Sequence, residues 1–381
     1  MSNGPEHYED PENCAAIQDG IAQTGFPLEH SVVELLRDHR WTVISNRYYL
    51  DDIQPAVREI DMVAYKVSNV RDFSVISTLL VSCKKSATNT WALLSRDADK
   101  TDPNTDWTPI HVWSSCLESE YLLKETPWKE HYVWAALRSR ARGLVAPPDA
   151  RIFAFQEMSH PAGKPQNDRA IFQSITSLLK ALGYELAALP SRVRDRRIYQ
   201  FNLLSIVDAP ALLRLHFGSD GVDVMPRSDD VYLADYIVNR ERLSARIHFI
   251  HASALAGAIE QYDSLHEMHG QFFAREYSYF YRNVLRERKA RSLFMEKFST
   301  RTWYRIRRSL PDKSKPGFQR QLIDAYFDDD DKMVKIEAGL EAADVAALNA
   351  DSALGDVVRE ALKTVFHYEG EHAFVENLVP F

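Results

Sequence analysis

Arg58-Glu59-Ile60-Asp61-Met62-Val63-Ala64 and, further along, Leu79-Leu80-Val81-Ser82-Cys83-Lys84-Lys85 are the stretches whose reading decides the fold of this chain. Both are short, apolar and rich in β-branched residues, which predicts strands. Side chains alternate along a strand, so Glu59 and Asp61 share one face. Ser82 and Lys84 likewise share a face, and Cys83 and Lys85 point the other way. Were the two strands neighbours, the Asp61 carboxylate and the Lys84 ammonium would meet at one end of a sheet. That pair suits a divalent cation beside a phosphate.

Before the first strand lies Gly25-Phe26-Pro27-Leu28-Glu29. Pro27 fits the first turn of a helix, where a missing N–H costs nothing. Leu28, Val32, Val33, Leu35 and Leu36 continue at helical spacing. Glu29 falls in the first turn, where the helix dipole favours a carboxylate. Trp41-Thr42-Val43-Ile44 reads as a strand, Asp51 to Pro55 as a turn, Val57 to Lys66 as the next strand, and Phe73 to Cys83 as a third.

A helix bearing an acidic residue, a strand, a strand with E-I-D-x-x-A (Glu59 to Ala64) and a strand ending in x-C-K (Ser82 to Lys84) follow one another in that order. This resembles the core of the PD-(D/E)xK, or restriction-endonuclease-like, nuclease superfamily. The resemblance covers residues 25–86 in motif detail and 168–208 by element order. It implies an α/β fold, a mixed sheet flanked by helices. It further implies a metal-dependent nuclease that hydrolyses phosphodiester bonds in DNA, with RNA as the other substrate class. Asp61 would be the central ligand of Mg2+ or Mn2+, with Glu29 as a further ligand, directly or through water, and the Cys83 main-chain carbonyl as another. Lys84 would orient the attacking water or stabilise the phosphate charge. One position departs from the pattern: where the family has an acidic residue, this chain has Ser82. Three outcomes stay open. Asp61, Glu29 and a carbonyl suffice; or Glu59, Glu34 or Glu157 supplies the missing acid; or a degenerate site leaves a module that binds nucleic acid or a protein partner.

The bland readings are plain. Glu59-Ile60-Asp61 fits a solvated turn, Lys84-Lys85 fits edge-strand lysines that block aggregation, and Cys83 fits a small packed hydrophobe. His248 and His251, three apart on an expected strand, fall on opposite faces and read as core or surface histidines. Gln173 reads as a polar residue on a helix face.

Residues 1–20 read as a flexible leader and 21–270 as the nuclease-like domain. Residues 87–165, with Trp91, Trp107, Trp113 and Trp128, read as an insertion decorating one edge. Ala170 to Leu182 predicts an amphipathic helix capped by Gly183. Tyr199 to Val207 predicts a strand that pairs with Leu212 to Phe217 through Asp208-Ala209-Pro210. Val231 to Val238 and Ala245 to His251 predict strands, and Ala252 to His266 a helix. Residues 271–381 read as a helical extension, first basic, then acidic. Arg301, Arg305, Arg307 and Arg308 lie in the basic part, which includes Lys313 and Lys315, with Trp303 and Tyr304 among them. This pattern fits a surface that tracks phosphates and stacks on bases. It equally fits a basic helix neutralised by Asp328-Asp329-Asp330-Asp331 and the acids beyond.

With 381 residues, 45% of them hydrophobic, the chain can bury a sizeable core. A net charge of −8 means that any nucleic-acid surface must be local. Cys14, Cys83 and Cys116 are scattered, which excludes a zinc-finger or disulfide framework and fits a reducing compartment. The amino-terminal residues lack an apolar signal region, and no long apolar run predicts a membrane span. A cytoplasmic protein is expected. Such nuclease folds recur in prokaryotic antiviral defence and genome maintenance, which makes a homodimer or a defence-system protein the expected companion.

Overall fold

A computed structural model describes residues 11–50, 57–238, 240–312 and 318–376. In chain order the elements are α1 (Pro11–Ala22), α2 (Phe26–Asp38), β1 (Thr42–Leu50), β2 (Val57–Val70), β3 (Phe73–Lys85), β4 (Asn89–Asp97) and β5 (His111–Ser114). There follow α3 (Leu117–Glu125), α4 (Trp128–Leu137), α5 (Arg142–Val145), β6 (Ala150–Ser159), α6 (Arg169–Arg192), β7 (Arg197–Asp208) and β8 (Leu212–Gly218). Then come β9 (Gly221–Arg227), β10 (Asp229–Val238), β11 (Glu241–His251), α7 (Leu255–Asn283) and α8 (Arg288–Ser309). The chain closes with β12 (Asp324–Asp328), β13 (Met333–Glu337), α9 (Ala342–Ala350), α10 (Ser352–Phe366) and β14 (His372–Val375). The fold is mixed α/β. It divides into two compact units, residues 1–116 with 127–272, and residues 117–126 with 273–381.

In the first unit the main sheet runs β1-β2-β3-β7-β11-β10, with β5 paired to the flank of β7. The pairs β1·β2 and β2·β3 are antiparallel, whereas β3·β7 and β7·β11 are parallel. A parallel pair needs a crossover, and α6 lies on it, packing Ile171, Ile175, Leu178 and Leu182 with Val63, Leu80, Phe201 and Leu203. β3 reads as an almost unbroken buried run because the sheet is covered on both faces there.

A second sheet, β6-β4-β8-β9, grows out of the first. β3 and β7 leave the main sheet side by side. The Ser86 N–H donates to Asp208 O at 2.8 Å, and the Trp91 N–H to Ala211 O at 3.1 Å. Their continuations, β4 and β8, then pair again in parallel. Two expectations are thereby corrected. Leu212 to Phe217 does not fold back on β7 but pairs with β4 and β9. Residues 87–165 do not merely decorate an edge: they supply two strands of the second sheet and one of the first, and 117–126 belong to the second unit.

Gly183 does not cap α6. The helix continues to Arg192, and a Cβ on Gly183 would stand 2.3 Å from Val238 Cγ1. The glycine is there for a close approach of the helix to β10, not to end the helix. The expected leader is helical from Pro11 onward (α1), and its first ten residues lie outside the described ones. The turn expected at Asp51 to Pro55, and Lys313 and Lys315, also lie outside them.

The second unit is not purely helical. α8 and α10 pack Phe294, Phe298, Val358, Leu362 and Phe366 with the small sheet β12-β13-β14. Arg291 pairs with Asp324 at 2.9 Å, and Arg286 with Asp329 at 3.0 Å. Among the described residues no helix is long and apolar enough to cross a membrane.

Candidate functional site

The register Met62↔Val81 between β2 and β3 sets Asp61 opposite Ser82, and Lys84 two residues further on the same face. Lys84 Nζ lies 3.7 Å from Asp61 Oδ2, with both side chains about one-quarter exposed. The Cys83 backbone N–H donates to the same Oδ2 at 2.6 Å. The Asp61 carboxylate is therefore held by its neighbouring strand.

Glu29 joins this pair from the first turn of α2, where Pro27 sits at the helix start and the Glu29 N–H donates to Gly25 O at 3.0 Å. Its carboxyl is held above the usual glutamate range. Burial raises it most, the Asp61 charge raises it further, Lys84 partly offsets this, and Glu59 adds a smaller upward push. Glu29, Asp61 and Lys84 thus form one electrostatic group drawn from α2, β2 and β3. The Lys84 ammonium pairs with Asp61 and acts on Glu29 through its charge.

Glu59 is turned to another partner: its Oε1 accepts from Asn46 Nδ2 at 2.5 Å, and Asn46 holds a left-handed backbone with φ 53. Asparagine tolerates that conformation better than most residues. Glu34 pairs with Arg37 at 2.9 Å on the outside of α2. Glu157 is buried, and its two oxygens accept from Asn89 Nδ2 at 2.9 Å and from the Ala170 N–H at 3.3 Å. Glu157 thereby satisfies the start of α6. Of the three acids considered as replacements, only Glu59 contributes to the field at Glu29.

Ser82 does not reach solvent. It is fully buried, and its Oγ has no hydrogen-bond partner. The hydroxyl of this catalytic candidate is sealed in the contact between α6 and the sheet. β3·β7 pairing sets Ser82 beside Ser205, whose Oγ shares a hydrogen bond of 2.7 Å with Ser174 Oγ of α6. Three small hydroxyl residues thus lie in this part of the helix–sheet contact. Sequence reading gives Ser174 and Ser205 no role, because a serine on a helix and one on a strand carry no mutual signal before the crossover is known.

Cys83 is buried. Burial pushes its thiol well above the ordinary value, and the Asp61 and Glu29 charges push the same way. A thiol that resists ionisation is a poor nucleophile. Lys85, on the opposite face, donates to Ala22 O at 2.6 Å.

Other sequence candidates are engaged elsewhere. His248 Nε2 lies 2.7 Å from Asp229 Oδ2, and its Nδ1 lies 3.2 Å from the Tyr262 hydroxyl. His251 bridges Ser253 Oγ at 2.7 Å and Ala209 O at 2.9 Å. Gln173 is exposed on α6. In the second unit, Arg301, Arg307 and Arg308 are exposed on α8, whereas Arg305 is half-buried with its Nε sealed from solvent. Arg307 lies over the Trp303 ring at 5.2 Å. Lys297, Arg301, Tyr304 and Arg308 follow one another at spacings of four, three and four, so they line one exposed face of the helix.

The donor set of the Asp61 group is hard oxygen, the chemistry Mg2+ and Mn2+ favour. The Glu29 carboxylate, whose charge is disfavoured by burial and by Asp61, fits a cation. Among the described residues no group of three or more His, Cys, Asp or Glu side chains is arranged to hold a metal. The fit therefore rests on the two carboxylates of Asp61 and Glu29. Comparison with protein-family models, with curated proteins and with solved structures returns no match.

Proposed function

We propose that this chain is a metal-dependent nuclease of the PD-(D/E)xK kind, hydrolysing phosphodiester bonds in nucleic acid, with DNA as the favoured substrate. The observation that carries this reading is the convergence of Asp61, Lys84 and Glu29 from three elements, with Lys84 Nζ at 3.7 Å from Asp61 Oδ2. The topology supports it. A helix leads into three antiparallel strands, and a crossover helix returns to a strand parallel to the third.

Hydrolysis adds a water oxygen to phosphorus and breaks a P–O bond to the sugar, the departing oxygen taking up a proton. A bound Mg2+ or Mn2+ would activate the water and screen the charge gathering on the phosphate. Asp61 and Glu29, with the Cys83 carbonyl, would hold the ion. The Cys83 N–H fixes the Asp61 carboxylate. The Lys84 ammonium, beside Asp61 and partly exposed, would orient the water and donate to the phosphate oxygens. The exposed Arg301 and Arg308 of α8 would contact the phosphate backbone, and Tyr304, 66% exposed, offers a ring for stacking.

A second reading is a non-catalytic binder of nucleic acid or of a protein partner. Ser82 favours it, since a sealed, uncharged hydroxyl stands where the family has an acid. One experiment separates the two. Labelled double-stranded DNA, single-stranded DNA and RNA are incubated with the full chain in Mg2+ and in Mn2+. Cleavage that disappears in Asp61→Asn and in Lys84→Ala supports the nuclease. Cleavage that persists in both, or salt-sensitive binding with no cleavage in either metal, rejects it.

A further inference from the structure

Where α6 ends at Arg192, the face of the main sheet that carries Asp61 is left uncovered and forms a groove of about 240 Å3. Its lining holds three guanidiniums, those of Arg47, Arg192 and Arg197, against a single carboxylate, Glu185. Glu185 is only 7% exposed and is already spent. Its Oε1 accepts from Arg47 at 3.0 Å, and its Oε2 accepts from Arg192. The arginines are 30–41% exposed and keep further N–H groups for a ligand. Arg197 also pairs with the exposed Asp195 at 2.8 Å.

The floor is of another kind. Ile44 and Val67 are exposed apolar side chains within it. Tyr65 and Tyr199 bring aromatic rings, and Tyr199 is stacked near-parallel on Phe201 with centroids 6.3 Å apart. A chain of net charge −8 has concentrated cationic groups beside aromatic and apolar surface at this place. Guanidiniums recognise phosphate oxygens in pairs, and rings and flat apolar surface receive a base. The volume lies just below the roughly 300–1,000 Å3 of clefts that enclose drug-sized ligands, so the open groove would seat a mononucleotide with part of it in solvent and is too small for a duplex.

We propose that this groove binds a single nucleoside phosphate as a free ligand, its base on the tyrosine floor and its phosphate on Arg47, Arg192 and Arg197. The groove shares its sheet face with the Asp61 group: Val63, in its lining, stands two residues after Asp61 on β2, about 7 Å at strand rise, whereas Thr78 at its far side stands about 20 Å before Lys84 on β3. The inference does not depend on the nuclease reading.

The test is calorimetric titration of the full chain, without divalent metal, with nucleoside monophosphates and triphosphates, with inorganic phosphate, and with an eight-nucleotide single strand. The expected result is one saturable site for at least one nucleotide, at least tenfold tighter than inorganic phosphate. Affinity should fall at least tenfold in Arg197→Gln and in Val67→Trp, which fills the groove from an exposed position. Titrating without divalent metal separates this site from the proposed catalytic one, and Glu34→Gln, on the outside of α2, should bind as the parent does. Equal affinity for inorganic phosphate, binding of the oligonucleotide alone, or unchanged binding in both groove variants would overturn the proposal. So would the absence of binding by every nucleotide.

Discussion

The backbone N–H of Cys83 and the Asp61 carboxylate are joined across two antiparallel strands at 2.6 Å. That bond orients a partly exposed carboxylate without using its charge. Asp61→Asn keeps an acceptor for the N–H and removes only the charge. We expect it to fold with a melting temperature close to the parent's and to lose cleavage by roughly 100- to 1,000-fold, as when one transition-state contact is removed. Asp61→Ala should lose as much activity and also some stability, because the Cys83 N–H then lacks its partner. Thermal denaturation beside a cleavage assay checks the pair. Equal melting temperatures for Asn and Ala would mean that the bond contributes nothing.

Glu29 gives a pH signature. Its folded-state carboxyl titrates above the ordinary glutamate value, through burial and the Asp61 charge. The folded state therefore holds this proton more tightly than the unfolded one. The stabilisation is complete below the ordinary value and is lost as pH rises through the raised one. At neutral pH the ionised Glu29 is a cost, which a cation would offset. The melting temperature should thus rise on adding Mg2+ at pH 7 and change less near pH 4. Glu29→Gln should melt higher than the parent without metal and gain little from Mg2+. Identical metal responses in parent and variant would remove Glu29 from the ligand set.

The sealed hydroxyl of Ser82 makes a sharper test of the catalytic assignment. A buried polar atom without a partner costs on the order of 1–3 kcal/mol, so Ser82→Ala should be neutral or stabilising. Nothing about Asp61 or Lys84 changes in that variant, and cleavage should stay within about threefold of the parent, well short of the loss expected for a transition-state contact. A hundredfold loss of activity in Ser82→Ala would return the serine to the reaction.

The local sequence carried the α2–β1–β2–β3 segment well, because each element there has its own period and punctuation. Pro27 opens a helix, and the apolar runs of β2 and β3 alternate or stay buried throughout. What could not be read were features that two distant segments decide together. Gly183 looks like a cap until Val238 arrives beside it from another strand. Leu212 to Phe217 looks like a hairpin partner of β7 until β4 is seen to leave the main sheet alongside it. Ser82 looks accessible, since strand alternation gives its face but not what covers that face. Arg47, Arg192 and Arg197 are unremarkable arginines in sequence and meet only where α6 stops.

The basic helix α8 predicts a salt dependence. Arg286 and Arg291 are tied to Asp329 and Asp324, so the acidic segment neutralises the early part of the basic window. Arg301 and Arg308 are exposed on the face that carries Tyr304. If each meets one phosphate, removing both should lower the slope of log affinity against log salt by roughly 1.8 for duplex DNA, or about 0.9 per contact. Arg286→Ala should leave the slope unchanged. Filter binding or fluorescence anisotropy from low to moderate salt reads the slopes, and an unaltered slope in Arg301→Ala/Arg308→Ala would move nucleic acid off this helix.

The contact between Gly183 and Val238 predicts a repairable defect. A methyl group on Gly183 would meet Val238 Cγ1 at 2.3 Å, far inside van der Waals contact, and Val238 is itself buried. The residue lies within a helix, where alanine would ordinarily be preferred to glycine by about 1 kcal/mol. Overpacking of a filled contact costs typically about 1–3 kcal/mol, so the clash outweighs the helical preference. Gly183→Ala should therefore destabilise the first unit. Val238→Ala alone leaves a cavity and should also destabilise. In the double variant the new methyl takes the place of the lost ones, and the two effects should fail to add, the coupling being on the order of 1 kcal/mol in favour of the pair. Denaturant unfolding of the four chains measures it. Strict additivity would mean that α6 and β10 do not approach as closely as this glycine implies.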